Sequence, residues 1–219
     1  MAATRRDRRG AVEPGGHPLR PEVVAHHQRQ RIIAGAARVI AERGYRSVSV
    51  ADIVKSAAIA RGSFYEHFGS KEDCFLALYE TGTGAALEAV KEACSGESEG
   101  FPGRVKGGLA ALLAYVESNR EMAQACIVEG PAVGPAIEGR FEGMISSFGD
   151  LLRSGRVAPD ASELPESVEE TVVGGLYWLL YYALLEGKPK KVARLLPQLE
   201  QFSLIPFAGA EAADTAPTA

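Results

Sequence analysis

The sequence predicts an all-α protein, and three of its features support that fold class. Apolar residues recur at intervals of three and four positions, first at residues 33–40, as they do on one buried face of an α-helix. The sequence Ser-x-x-Asp, which caps helix N-termini, occurs at residues 49–52 and again at 70–73. No segment shows the strict apolar–polar alternation of a half-buried strand.

Composition excludes several classes of protein. With 219 residues, 46% of them hydrophobic and 24% charged, the chain is long enough for one large domain or two small ones. The longest apolar stretch, GGLYWLLYYALLEG, is shorter than the roughly 18 residues of a membrane span, and the N-terminus has no secretory apolar block. Cys74, Cys94 and Cys126 match no metal spacing. We expect a cytoplasmic protein with no metal, no cofactor and no membrane partner.

The charge is distributed unevenly along the chain. Residues 1–72 contain 13 Lys and Arg against 7 Asp and Glu, whereas the remainder contains 11 against 21. A basic head on an acidic body is typical of a nucleic-acid-binding domain joined to a second function. Arginine-rich tails are also often merely solvated, so charge alone leaves both interpretations open.

Four regions follow from these patterns. Residues 1–20 hold an arginine cluster among glycines and prolines and predict a disordered basic arm, and residues 209–219 predict a disordered tail. The arm either follows the DNA minor groove, or adds only non-specific attraction to DNA, or has no role. Between them, residues 21–72 and 73–208 predict two helical domains.

The domain at residues 21–72 predicts three helices. The first begins near Pro21 and ends at Gly44, a residue that turns with positive φ at no steric cost. The second begins after a capping box formed by Ser49 and Asp52. The third is short and lies within residues 61–67. Short helices joined by tight turns are the geometry of a helix-turn-helix unit.

The third helix, in the stretch ARGSFYEHF, has two different faces. Phe64 and Phe68 lie four residues apart and share the face predicted to pack on the domain core. Gly62 permits close approach of the backbone to DNA. The side chains that then point outward, toward DNA bases and phosphates, are Arg61, Ser63, Tyr65 and His67. Lys71 and Ser49 lie at helix N-termini, where backbone N–H groups already favour an anion such as phosphate.

The run RIIAGAARVIAERGYRSVSVADIVKSAAIARGSFYEHFGSKEDCFLALYE, roughly residues 29–80, resembles the DNA-binding domain of the TetR family of bacterial transcriptional regulators. The matching positions are Ala36-Ala37, Gly44-Tyr45, Ser49-Val50, Asp52-Ile53, Gly62-Ser63-Phe64-Tyr65, Phe68 and Ser70-Lys71-Glu72. The resemblance places Arg61, Gly62, Ser63, Tyr65 and His67 on the recognition helix. It also implies phosphate contacts from Ser49, Tyr65 and Lys71.

Two positions depart from the family pattern. Ala58 stands where the family usually has the turn glycine, so the turn must form without that residue. Ala60 stands where a Ser or Thr usually caps the recognition helix, a change that costs about 1 kcal/mol of local stability.

The C-terminal region predicts helices at 103–118, 120–129, 134–154, 163–186 and 189–204. The resemblance implies that they form a ligand-binding and dimerisation domain of a homodimeric repressor, which leaves its near-palindromic operator when a small-molecule effector binds. The predicted dimer interface consists of Leu176, Leu180, Leu184, Val192, Leu195 and Leu199. The predicted pocket consists of Tyr115, Met122, Cys126, Phe141, Met144, Phe148, Tyr177, Trp178 and Tyr181, with Gln124 and Glu129 as further polar groups. A stripe of such residues is more often plain core than a pocket lining.

Two other classes of function were weighed against this one. An enzyme is disfavoured because all four histidines, His17, His26, His27 and His67, precede residue 72, which leaves the C-terminal region without an imidazole for proton transfer. A cysteine-based redox sensor would need Cys126 or a Cys74–Cys94 pair, and those two lie roughly 30 Å apart if one helix carries both.

Overall fold

The computed structural model describes residues 21–95, 100–157, 164–186, 192 and 194–207, and within these ranges every regular element is helical. The predicted all-α class is therefore confirmed for the described part of the chain. The predicted arm and tail lie outside it. The α-helices are α1 (Pro21–Arg43), α2 (Val50–Ala57), α3 (Arg61–His67), α4 (Lys71–Cys94), α5 (Gly100–Ser118), α6 (Arg120–Ala123), α7 (Glu138–Leu152), α8 (Val168–Leu185) and α9 (Leu196–Leu204).

The helices α1, α2 and α3 pack with the start of α4 around one core. Ile33, Ile40, Ile53 and Phe64 are at most 1% exposed in it, and Phe68 is buried beside them. The predicted inward faces of all three helices are thus confirmed. The same core extends along α4 to residues of the C-terminal region, so the two predicted domains share α4.

Local capping begins α2 and α4 where the sequence predicts. The Ser49 side chain accepts a hydrogen bond from the Asp52 N–H, and the Asp52 carboxylate accepts one from the Ser49 N–H at 2.9 Å, which completes the capping box. Ser70 caps α4 by accepting from the Asp73 N–H at 3.0 Å. Hydrogen bonds from Ser49, and then from Arg43, hold the pKa of Asp52 below its ordinary value.

The turn between α2 and α3 forms around an alanine in a left-handed conformation. Ala58 has φ 51° and ψ 52°, which costs an L-residue roughly 1–2 kcal/mol. The guanidinium of Arg31 donates to the carbonyls of Ala57 and Ala58 at 3.0 and 2.9 Å and so braces this turn from α1. At the next helix start, Ala60 makes no side-chain capping bond, as its residue type predicts.

The C-terminal helices differ in extent from the sequence prediction. Only Arg120–Ala123 of the predicted 120–129 helix is α-helical, and Gln124–Val128 continues it as a π-helical turn. The segment predicted as 134–154 is α-helical from Glu138, after Gly134 turns with φ 89° and Pro135–Ile137 forms a 3₁₀ turn. The last two predicted helices are α-helical over α8 and α9, and residues 187–191 and 193 lie outside the described part.

One ion pair of the C-terminal region has a buried carboxylate and a partly exposed guanidinium. The Arg156 guanidinium donates to both carboxylate oxygens of Glu169, at 2.5 and 2.7 Å, and Glu169 is 1% exposed. Arg156 also donates to the carbonyls of Leu164 and Pro165. The hydrogen bonds from Arg156 to the Glu169 carboxylate lower the pKa of Glu169 below its ordinary value. The pair ties the start of α8 to the 3₁₀ turn Arg153–Val157.

Candidate DNA-contact surface and effector cavity

The short helix α3 presents polar groups to solvent on the side opposite its aromatic core contacts. Phe64 is completely buried, whereas Tyr65 is 48% exposed and Arg61 is exposed beside it. The Arg61 guanidinium lies 5.8 Å from the centre of the Tyr65 ring. Around Gly62, a Cβ atom would meet nothing within 4 Å, so the backbone there is open to close approach. This face carries a cation and a hydroxyl and is free of large apolar side chains.

Ser63 and His67 occupy the flanks of that face. Both are half-buried, and the His67 Nε2 lies 3.4 Å from the Gln28 Oε1 of α1. This contact ties the end of α3 to α1. The expected contacts of Ser63 and His67 with DNA stay predictions.

Lys71 forms hydrogen bonds within the protein that its sequence position did not predict. Its ammonium donates to the carbonyls of Tyr45 and Val48, both at 2.9 Å, and lies 4.1 Å from the centre of the Tyr45 ring. Burial lowers the pKa of Lys71. Two of its three N–H donors are used, so one remains for a phosphate. Lys71 braces the turn between α1 and α2, which the sequence analysis did not predict.

The Ser49 side chain is likewise already hydrogen-bonded within the protein. Its hydroxyl donates to the Asp52 carboxylate at 2.5 Å and accepts from the Asp52 N–H at 3.3 Å. The residue is exposed at the start of α2, near the turn that Lys71 braces. A phosphate contact from Ser49 would therefore compete with the capping box, because the hydroxyl and the backbone N–H of Ser49 both donate to Asp52.

A cavity of about 180 Å³ lies in the C-terminal region, between α4, α5, α7, α8 and α9. Its lining is overwhelmingly apolar. Six of the nine predicted pocket residues line it: Tyr115, Met122, Cys126, Met144, Phe148 and Tyr177. A concave apolar space with a few convergent polar groups is the usual form of a small-molecule site.

The other three predicted pocket residues do not line the cavity. Phe141 packs edge-on against Tyr177, with 5.0 Å between the ring centres. Trp178 is 53% exposed and stacks on Tyr181 at 5.1 Å on the outer side of α8. Successive residues on a helix diverge by about 100°, so Trp178 points away from the cavity that the adjacent Tyr177 lines.

Gln124 and Glu129, predicted as polar groups of the pocket, are also absent from its lining. Glu129 instead accepts a hydrogen bond from the Tyr45 N–H at 2.8 Å and thereby joins the C-terminal region to the helix-turn-helix unit. A weaker contact between the same parts of the chain is the exposed ion pair of Arg38 and Glu121 at 3.8 Å.

Sequence reasoning missed the walls that α4 and α5 contribute. These walls consist mostly of small and aliphatic residues that resemble ordinary core. The sequence pattern that could have identified them is their spacing of three or four along each helix. The missed residues on the two helices are Tyr79, Gly82, Thr83, Ala86, Val90, Cys94, Phe101, Arg104, Val105, Gly108, Leu109, Leu112 and Val116. At Gly82, a Cβ would lie 2.8 Å from Met122, so only glycine permits this approach.

The predicted dimer-interface residues belong to the core of the single chain, which corrects that prediction. Leu176, Leu180, Leu184, Val192 and Leu199 are at most 8% exposed, and Leu195 is half-buried against the same core. Leu176 and Leu180 line the cavity. Since α8 is apolar on nearly all sides, its sequence did not distinguish the inner face from the outer.

A different set of apolar side chains faces solvent on α8, on α9 and just beyond α9. Trp178, Tyr182 and Leu185 recur at helical spacing on α8 and are 49–54% exposed. Phe202 and Ile205 are 40% and 56% exposed, and the Phe202 ring packs close to Gly175, where a Cβ would lie 2.5 Å from it. These five residues form the outer apolar patch. A patch of this kind marks an interaction surface.

The cysteines do not have the environment of reactive thiols. Burial raises the pKa of Cys74 and of Cys126 to about 12, so both are protonated at neutral pH. Cys74 and Cys94 lie on the one helix α4, as predicted, too far apart for a disulfide. In the described ranges, no group of three His, Cys, Asp or Glu side chains is placed to hold a metal ion, and no helix there could cross a membrane.

The helix-turn-helix unit, joined through α4 to a helical region that encloses an apolar cavity, places the chain in the class of two-part helix-turn-helix proteins. Residues 32–78 match the family described as "Bacterial regulatory proteins, tetR family". This part of the chain, from α1 to the start of α4, has the sequence of a DNA-binding unit of that family.

Among curated relatives, the chain is similar to the HTH-type transcriptional repressor AcnR of Corynebacterium glutamicum, with 38% identity over 66 residues, 30% of this chain and 35% of the relative. It is also similar to the fatty acid metabolism regulator protein of Bacillus subtilis, with 39% identity over 62 residues, 28% of this chain and 32% of the relative. The matches therefore span about a third of the length of these relatives.

Solved structures match over most of the chain. The fatty acid degradation regulator FadR from Bacillus halodurans has a TM-score of 0.72 and 21% identity, with 81% of this chain and 94% of that one covered. FadR from Bacillus subtilis, in complex with stearoyl-CoA, has a TM-score of 0.64 and 18% identity, with 80% and 96% covered. At these identities the likeness concerns the fold.

Proposed function

We propose that the protein is a cytoplasmic transcriptional repressor that binds a near-palindromic DNA operator as a homodimer and leaves it when an apolar small molecule occupies the cavity. The observation that carries this proposal is the arrangement around α4. One end of this helix packs in the core that holds α3, and the rest of it lines the cavity. The same rigid element thus belongs to both candidate sites. The proposed activity is regulation of transcription rather than catalysis.

The DNA side of the proposal depends on α3. Its outward face offers Arg61 for base edges in the major groove and the Tyr65 hydroxyl for phosphate oxygens. The rest of the proposed surface comes from Gly62, Ser63 and His67 on the same helix. Ser49 adds the N-terminal end of α2, and Lys71 adds that of α4. An α-helix of this size fits the major groove, and two copies would read two half-sites one helical turn apart.

The outer apolar patch is the proposed surface between the two protomers. It carries two aromatic anchors, Trp178 and Tyr182, of the type that dominates the binding energy of protein interfaces. It spans α8 and the end of α9, so two copies related by a twofold axis would pack four helix faces together. Gly174 lies on the same side of α8 with open space around it and would let a partner helix approach.

The proposed effector is an acyl-chain molecule. The cavity is narrow and apolar, which suits a hydrocarbon chain, and two similar structures are fatty acid regulators, one of them in complex with stearoyl-CoA. Occupation of the cavity would displace α4 and with it both recognition helices, so that they no longer match successive major grooves. By linkage, operator and effector must weaken the binding of each other by the same factor.

A direct test begins with selection of duplexes from a random pool by the full-length protein. We expect enrichment of a near-palindromic site, bound by a dimer in sedimentation analysis. Fluorescence anisotropy with that duplex then measures release by hexadecanoic acid and, in a parallel arm, by hexadecanoyl-CoA. Release by one of the two supports the proposal and distinguishes the free acid from the thioester. A protein that enriches no duplex contradicts the DNA side, and an operator affinity that neither compound changes contradicts the proposed effector.

A further inference from the structure

The cavity is elongated, and its two ends differ in chemistry. The α4 wall consists of residues that recur every three or four positions and so share one face: Tyr79, Gly82, Ala86, Val90 and Cys94. About 22 Å of helix separates Tyr79 from Cys94 at 1.5 Å per residue. Cys94 donates from Sγ to the Arg104 carbonyl at 3.4 Å, so the start of α5 lies beside the end of α4. Arg104 therefore marks one end of the cavity and Tyr79 marks the other.

The end at Arg104 is polar. Arg104 is half-buried, and among the described residues that line the cavity it is the one charged side chain. Its guanidinium donates to the Ser154 hydroxyl at 3.3 Å, which leaves most of its five N–H donors for a ligand. An anionic group of a ligand would bind at this end.

The end at Tyr79 is marked by a buried hydroxyl. Tyr79 is 2% exposed, and its hydroxyl has no hydrogen-bond partner among the described residues. The neighbouring Tyr177 differs, because its hydroxyl donates to the Ile127 carbonyl at 2.7 Å. Buried polar groups in native proteins are nearly always paired, so an unpaired hydroxyl on a cavity wall indicates a ligand atom as its partner.

The charge state of this end restricts that atom. Burial raises the pKa of Tyr79, and it raises the pKa values of Tyr177 and Cys126 to about 12, so all three groups are neutral hydrogen donors at pH 7. Tyr115, whose pKa burial also raises, completes the group. Arg104 lies at the far end, so a carboxylate beside Tyr79 would be buried without a cation, which is strongly unfavourable. An uncharged oxygen meets no such penalty.

We propose that the cavity selects an elongated apolar ligand that carries an uncharged hydrogen-bonding oxygen at its inner end, bound by the Tyr79 hydroxyl. This inference deepens the proposed function and rests on it, because it concerns the ligand of the same cavity. The oxygen is a hydroxyl, carbonyl or ether, and the body between it and Arg104 is hydrocarbon. Tyr79 is then the residue that distinguishes an oxygenated chain end from a plain methyl end.

Three matched probes test this selection, and they differ only at the end away from the carboxylate. Hexadecanoic acid ends in a methyl group, its ω-hydroxy derivative ends in a neutral hydroxyl, and hexadecanedioic acid ends in a second carboxylate. Isothermal titration calorimetry with the full-length protein measures the three affinities. We expect the ω-hydroxy acid to bind at least five-fold more tightly than hexadecanoic acid, and the diacid to bind most weakly.

The variant Tyr79→Phe removes only the unpaired hydroxyl. We expect it to abolish the preference for the ω-hydroxy acid while it retains binding of hexadecanoic acid. Because the hydroxyl is unpaired without ligand, the variant should also melt at the same temperature or a higher one. Ser146→Ala is the control, since Ser146 is exposed on α7 and is not among the lining residues, so its loss should leave the preference intact.

Each outcome bears on the proposal. Equal or tighter binding of hexadecanoic acid than of its ω-hydroxy derivative overturns it, and so does a preference that persists in Tyr79→Phe, or a failure of all three probes to bind. A protein that still binds its operator and releases it with hexadecanoic acid, but does not prefer the hydroxylated probe, retains the proposed function and loses only this inference.

Discussion

The carboxylate of Glu129 accepts a hydrogen bond of 2.8 Å from the backbone N–H of Tyr45, a residue 84 positions earlier in the chain. Glu129 directly follows the π-helical turn Gln124–Val128, which contributes Cys126 and Ile127 to the cavity wall. Tyr45 begins the turn between α1 and α2 that Lys71 braces. The bond thus joins the wall of the candidate effector cavity to the candidate DNA-binding unit.

Loss of this bond should weaken the coupling between the two sites. In Glu129→Ala, we expect the ratio of operator Kd values with and without hexadecanoic acid to fall toward one. Typical coupling free energies correspond to ratios of about 5–150, which is the largest decrease expected. Fluorescence anisotropy measures both Kd values. Glu129→Gln keeps an acceptor oxygen and should retain most of the ratio, and Glu142→Ala, at an exposed position of α7, is the control. An unchanged ratio in Glu129→Ala would mean that coupling passes through α4 alone.

Lys71 should matter for stability as well as for DNA. Lys71→Met leaves the Tyr45 and Val48 carbonyls without their donor, and we expect a loss of about 1–3 kcal/mol in the free energy of unfolding. Urea denaturation measures this loss. Lys55→Met, on α2, is the matched control and should change the stability little. If Lys71→Met is as stable as the wild type but binds DNA poorly, the residue acts through phosphate and not through the turn.

Arg61 and Tyr65 should differ in what they contribute to DNA binding. Arg61→Ala is expected to relax the preference at one base pair, by about 1–3 kcal/mol, because a guanidinium in the major groove distinguishes bases. Tyr65→Phe keeps the ring under the Arg61 guanidinium and removes only the hydroxyl, so it should weaken binding to all sequences alike. Anisotropy with single-base-pair variants of the operator separates the two. Uniform losses in Arg61→Ala would assign Arg61 to the phosphates.

Trp178 should hold the dimer together. Trp178→Glu places a charge in the outer apolar patch, and a buried aromatic anchor of this type is worth about 2 kcal/mol or more at an interface. Sedimentation equilibrium should show an increased monomer fraction, with weaker operator binding as a consequence. Ser146→Glu introduces the same charge at an exposed position of α7 and serves as the control. A dimer that tolerates Trp178→Glu would place the interface elsewhere.

The ion pair of Arg156 and Glu169 should give stability a specific pH dependence. Since the pKa of Glu169 is lowered in the folded protein, the pair stabilises fully above the ordinary pKa of a glutamate, and this contribution is lost as pH falls through the lowered value. In Arg156→Met, the unpaired Glu169 should instead have a raised pKa through burial. The variant should therefore melt several degrees lower at pH 7, and its deficit should shrink in acid. Thermal unfolding from pH 7 to pH 3 checks both effects.

Local features were the ones that sequence analysis predicted well. The features predicted well depend on neighbours within about four residues: the capping box at Ser49, the cap at Ser70, the end of α1 before Gly44, and the buried face of Phe64. Interactions of that range are encoded in spacing and residue type, so periodicity suffices to find them. The inward aromatic residues of the cavity, such as Tyr177, were found for the same reason.

Three properties depended on which distant segments meet. The leucines of α8 that the sequence assigned to a dimer interface are in the core of the chain, because a helix that is apolar on all sides does not specify its inner face. The cavity wall of α4 consists of residues typical of ordinary core. They line a cavity only because a space remains between α4 and α5. Glu129 meets Tyr45 through packing of the whole chain. Sequence alone thus established the helices, their caps and the family likeness of the DNA-binding unit. Tertiary packing decided the cavity, the exposed patch and the contact between the two sites, because burial depends on distant partners that local spacing does not specify.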